Sequence, residues 1–117
     1  MKVITNEQIV CYDVDDTMIL WGSDYTQPGP DKVAFIDPYD NSINYLRVHT
    51  KHINLLKKYK GRKNFIIVWS AAGAKWAESV VKTLNLQPYV DVVMTKPNKY
   101  VDDLPVEEWL TSRIYLK

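Results

Sequence analysis

Apolar residues gather in short continuous runs, separated by stretches in which they recur at helical spacing. "IVCYDV" (9–14) and "NFIIVWS" (64–70) are rich in β-branched and aromatic residues, a composition that suits a pleated strand. Neither run alternates cleanly, which predicts strands covered on both faces, as in a parallel sheet. "VDVVMT" (90–95) and "KYVDD" (99–103) are shorter strand candidates, and "RIYL" (113–116) reads as an edge strand. In "HTKHINLLKKYK" (49–60), Ile53, Leu56 and Tyr59 share one side with lysines opposite, and Gly61 marks a stop. Trp76, Val80, Val81 and Leu84 form a stripe along "GAKWAESVVKTLNL" (73–86). "PVEEWL" (105–110) opens with proline and two acids, which suits a first helical turn. Strand–helix–strand alternation of this kind predicts an α/β fold built on a central, mainly parallel sheet.

The stretch 21–46 departs from that alternation. "VAFI" and "INYL" flank "DPYDNS", whose Asp, Pro and Asn suit a turn. A β-hairpin over residues 33–47 is expected, projecting from the sheet as a flap after the loop "SDYTQPGPD". The 117 residues suit one domain, 1–117. Hydrophobic residues make up 46% and charged ones 25%, enough of each for a folded, soluble chain. A formal charge of +1 gives no strong drive toward nucleic acid or acidic membranes. No apolar stretch approaches the ~20 residues of a membrane helix, and "MKVITNEQIV" lacks a signal-peptide core. No membrane partner is expected, and a cytoplasmic setting fits. Cys11, the one cysteine, sits in an apolar run and is expected as a buried core thiol.

Chemistry enters where acids interrupt the strands. Ligands of parallel α/β sheets bind beyond the carboxyl ends of the strands, and four polar features fall at such ends. Asp13 and Asp15 close the first strand, Ser70 closes the second, Lys96 follows "VVMT", and Asp102 and Asp103 close "KYV". Neighbouring strands would bring these groups to one spot. Clustered carboxylates repel, and a bound Mg²⁺ is the usual remedy, commonly shared with a phosphate. Lys96, the Ser70 hydroxyl and the helix start near Gly73 would hold the phosphate oxygens. One carboxylate is then free to attack phosphorus and another to move protons.

"DVDDT", "IIVWSAAG", "TKP" and "YVDD" occur in that order between residues 9 and 103. Together they resemble the four motifs of the haloacid dehalogenase (HAD) superfamily, and the resemblance implies a HAD-like, Rossmann-like domain. It makes Asp13 the nucleophile that forms an aspartyl-phosphate. Asp15 becomes the acid that protonates the leaving group and then the base on the hydrolytic water, its backbone carbonyl a metal ligand. Thr17 supports the loop and the position of Asp15 and is grouped with the substrate-binding residues, Ser70 and Lys96 bind the phosphoryl group, and Asp13, Asp15 and Asp102 hold Mg²⁺, with Asp103 as neighbouring or alternative ligand. Because dehalogenating members lack the second acid, the resemblance favours a Mg²⁺-dependent phosphatase, a phosphoric monoester hydrolase. Five residues separate Lys96 from Asp102, leaving little room for a helix there, and Lys99 competes with Lys96 for its role. The short 21–46 insert leaves the site without a cap domain. The resemblance implies a phosphorylated substrate, whether small molecule, protein or nucleic-acid end; such an open site suits bulky ones such as proteins or nucleic-acid ends, or implies a cap supplied by a second subunit in a homo-oligomer. A nucleic-acid-end or nucleotide phosphatase, and a phosphate-binding module without turnover, are the alternatives.

Other signals have plainer readings. His49 and His52, three apart on a helix, are expected in surface or capping roles. The stretch 47–63 carries seven lysines and arginines and no acid, expected as a solvated helix face. Trp21, Tyr25, Tyr39 and Tyr45 are expected to pack the hairpin near the site.

Overall fold

The computed structural model describes residues 8–110. In chain order the elements are β1 (Ile9–Asp13), β2 (Ile19–Leu20), β3 (Val33–Ile36), β4 (Ile43–Val48), α1 (Thr50–Gly61) and β5 (Phe65–Ser70). They are followed by α2 (Ala74–Thr83), a 3-10 turn at Gln87–Tyr89, β6 (Val92–Thr95) and α3 (Val106–Trp109). The result is an α/β fold around a three-stranded parallel sheet ordered β1-β5-β6. Asp13 lies opposite Trp69 and Ser70 opposite Thr95, so the carboxyl ends of all three strands meet along one edge.

Spatial order follows chain order, so two right-handed crossovers in the same direction place α1 and α2 on one face. Tyr12, Ile66, Val68 and Ser70 point to that face and are buried with Ile53, Leu56, Trp76, Ala77, Val80 and Val81. The opposite face carries Ile9, Cys11, Phe65, Ile67, Trp69, Val92 and Met94, all partly or wholly exposed. This corrects two expectations. The apolar runs are covered on one face only among the described residues, and Cys11 is exposed rather than a core thiol. An apolar run marks both faces of a strand as coverable, but where the helices go is decided by crossover direction.

A second, antiparallel sheet is ordered β2-β4-β3. The expected hairpin is its β3–β4 half, closed by a turn in which the Asp37 and Asp40 carboxylates accept the N–H groups of Tyr39 and Ser42 at 2.9 Å each. It is not a projecting flap. Phe35 is 0% and Leu46 1% exposed, both within the main core, and Ser79 on α2 donates to the Ile36 carbonyl at 3.0 Å. Salt bridges tie down the loop that precedes β3: Lys32 and then Arg47 hold the Asp24 carboxyl at a pKa of about 2.

Residues 99–103 form no strand. Pro97 and Pro105 flank the segment, and Val101 is 95% exposed. The expected strand at 113–116 lies outside the described residues. Among those described, no helix is long and apolar enough to cross a membrane.

Candidate phosphoryl-binding site at the carboxyl edge of the sheet

After Asp13 the chain turns sharply. The N–H groups of Thr17, Met18 and Ile19 all reach the Val14 carbonyl, at 3.2, 2.9 and 3.3 Å. Val14 and Met18 are fully buried, and Asp16 takes the left-handed conformation at φ 60°. This turn presents two carboxylates with different surroundings.

Asp13 keeps one oxygen toward the open edge. Its Oδ2 accepts the Thr17 hydroxyl at 3.2 Å, while Oδ1 lies 3.8 Å from the Lys96 ammonium. Lys96 is placed by the backbone: it follows β6 directly, and its N–H donates to the Ser70 carbonyl at 2.9 Å. Both side chains are partly exposed, so solvent and ligand can reach the pair.

Asp15 is enclosed by donors. Its Oδ1 accepts the indole N–H groups of Trp21 and Trp76, at 2.8 and 2.9 Å, and its Oδ2 accepts the Ser70 hydroxyl at 2.8 Å. Ser70 is fully buried, and its Oγ also accepts the Ala72 N–H at 3.0 Å. Three donors on one carboxylate offset the cost of taking it out of water, so an acid is tolerated beside a core strand. Trp21 and Trp76, expected from the sequence to serve packing, both donate to this carboxylate. A buried indole N–H needs an acceptor, and that need was the available signal. The choice of Asp15 required the fold. Trp21→Phe deletes one of the three donors at a partly exposed position. It is expected to cost about 1 kcal/mol and lower the thermal midpoint by several degrees, with the Trp76 indole proton resonance moving as the sharing of Oδ1 changes.

The remaining expected members are placed differently. Asp102 and Asp103 lie in the exposed segment after β6, where the Asp102 Oδ1 accepts the Leu104 N–H at 3.0 Å. That bond, followed by one with Asp103, holds the Asp102 carboxyl below the usual carboxylate range. Lys99 is exposed in the same segment. No three His, Cys, Asp or Glu side chains among the described residues form a metal-holding group. Mg²⁺ requires a near-octahedral shell of oxygens. Here both Asp15 side-chain oxygens hold N–H or O–H donors and the outer oxygen of Asp13 faces an ammonium, so the Asp13 carboxylate and the Asp15 backbone carbonyl are the groups that would be left to hold that ion. The strand expected to deliver Asp102 does not form, and no hydrogen bond or ion pair among the described residues joins Asp102 to Asp13 or Asp15.

The start of α2 is likewise partly used. Its Ala74 N–H donates to the Thr95 hydroxyl at 3.0 Å rather than standing open to an anion. Gly73 takes φ 113°, and a side chain there would collide with the Tyr39 hydroxyl, so the hairpin turn packs against the beginning of this helix. Trp21, flanked by Tyr25 at 5.5 Å and Trp76 at 6.0 Å between ring centres, adjoins the site as expected. His49 caps α1, its Nδ1 accepting the His52 N–H at 3.3 Å.

No family model, curated protein or solved structure matches this chain.

Proposed function

We propose that the chain is a HAD-type phosphoric monoester hydrolase with an open, capless site. The observation that carries this reading is the pairing at one sheet edge of Asp13 with Lys96 and of Asp15 with Ser70. A nucleophile, a cation and a second acid at the carboxyl ends of parallel strands are the parts that phosphoryl transfer needs. In this reading an Asp13 carboxylate oxygen forms a bond to phosphorus as the ester P–O bond breaks, and Asp15 gives the departing oxygen its proton. Water then attacks the aspartyl-phosphate and loses its proton to Asp15, which releases orthophosphate and restores Asp13. Lys96 offsets charge on the non-bridging oxygens. Thr17 orients Asp13, and Ser70 orients Asp15, a shift from the phosphate contact expected of its hydroxyl.

A second reading is a phosphate-binding module without turnover. It is favoured by the Asp15 oxygens, which are occupied by three donors, so that proton transfer requires one of them to yield. A panel of aryl phosphate, sugar phosphates, nucleotides, phosphopeptides and 3′- or 5′-phosphorylated oligonucleotides distinguishes the two. The expected result is hydrolysis of the aryl phosphate and of one natural class. Binding of orthophosphate with no hydrolysis across the panel would support the second reading instead. Mg²⁺ joins the hydrolase reading if Asp102 is drawn toward Asp13. In that case EDTA silences turnover, Mg²⁺ restores it, and Asp102→Ala abolishes the restoration; turnover indifferent to chelation removes the ion from the reading.

A further inference from the structure

We propose that His52 is a positioning residue for Asp13, acting through Thr17 and doing so as the Nδ1–H tautomer. The proposal rests on the reading of Asp13 as the nucleophile. His52 lies on α1, is 4% exposed, and places Nδ1 2.6 Å from the Thr17 carbonyl oxygen. A carbonyl only accepts, so Nδ1 must carry the proton. The bond links two segments 35 residues apart and clamps the peptide between Thr17 and Met18.

Thr17 is the hinge of this chain of contacts. Its carbonyl is held by His52, its N–H reaches Val14 at 3.2 Å, and its hydroxyl donates to Asp13 Oδ2 at 3.2 Å. With Oδ2 engaged, Oδ1 is the oxygen turned toward Lys96. His52 is itself immobilised on three sides. Its ring stacks on that of His49 with centres 3.2 Å apart and planes 7° from parallel, its backbone N–H donates to His49 Nδ1, and its backbone carbonyl accepts the Tyr12 hydroxyl at 3.2 Å. A rigid donor of this kind aims the nucleophile without touching substrate. Small errors in aim are costly: about 1 Å of misplacement can lower a rate by about 10²-fold.

The test compares His52→Phe, which keeps ring volume and loses the donor, with His52→Asn, whose amide N–H can reach the position of Nδ1. The expected result in His52→Phe is a fall in kcat of about 10- to 100-fold with KM within about twofold. His52→Asn is expected to recover most of that loss. Unchanged kcat in a folded His52→Phe, or no recovery in a folded His52→Asn, would overturn the proposal. Two measurements need no turnover and separate it from failure of the hydrolase reading. Nitrogen-15 spectra of the wild type should place the imidazole proton on Nδ1; a proton on Nε2 alone overturns it. The Asp13 carboxylate carbon resonance should move in His52→Phe and in Thr17→Val, and return in His52→Asn. An Asp13 signal indifferent to His52 and Thr17 overturns the proposal even if the wild type proves inactive.

Discussion

Asp13→Asn is expected to lower aryl phosphate hydrolysis by about 10⁴-fold or more while leaving the thermal midpoint within about 2 °C of wild type. The amide keeps the shape of the carboxylate and an oxygen for the Thr17 hydroxyl, so the turn after β1 loses little. What disappears is the negative oxygen that would attack phosphorus and the charge facing Lys96. That ion pair spans 3.8 Å between partly exposed groups, a geometry worth only about 0–1 kcal/mol. Activity and stability therefore separate. Phosphate-release kinetics beside a thermal melt read both quantities, and turnover within tenfold of wild type would exclude Asp13 as the nucleophile.

Phe35→Ala should destabilise the fold by about 3–5 kcal/mol, the range for emptying a well-packed aromatic site. Phe35 belongs to β3, is fully buried, and meets Trp76 edge-on with ring centres 6.4 Å apart. Trp76 is 2% exposed and donates its indole N–H to Asp15. Removing the phenyl ring thus opens a cavity behind one of the donors that hold the second acid. A domain of ordinary stability has only about 5–15 kcal/mol in reserve, so a substantial part of it would be lost. Denaturant unfolding measures the change. A cost below about 1 kcal/mol would mean that the hairpin is a detachable flap after all.

Those two residues show how differently the fold and the site were legible. Asp13 could be located without coordinates, because an acid at the end of a β-rich apolar run stands out against the cost of burying it. The helices beginning at Thr50, Ala74 and Val106 were legible for a similar reason, since periodicity and end residues are local properties. Phe35 was placed in a hairpin but not in the core, because alternation in a short strand does not say what lies against its apolar side. His52 was legible as part of a helix start, and its burial against Thr17 was not, because that contact depends on how α1 docks on the turn after β1.

By itself, the amino-acid order determined the α/β alternation, the hairpin, and the delivery of Asp13, Ser70 and Lys96 to strand ends. Each of these depends on near neighbours along the chain: side-chain spacing, turn residues and the limits of apolar runs. Only the tertiary structure decided that Asp15 is held by Trp21, Trp76 and Ser70, that no strand carries Asp102, and that one face of the parallel sheet is left uncovered by the described helices. Those outcomes follow from crossover direction and from competition among donors for a few buried acceptors, and residues far apart in the chain settle both.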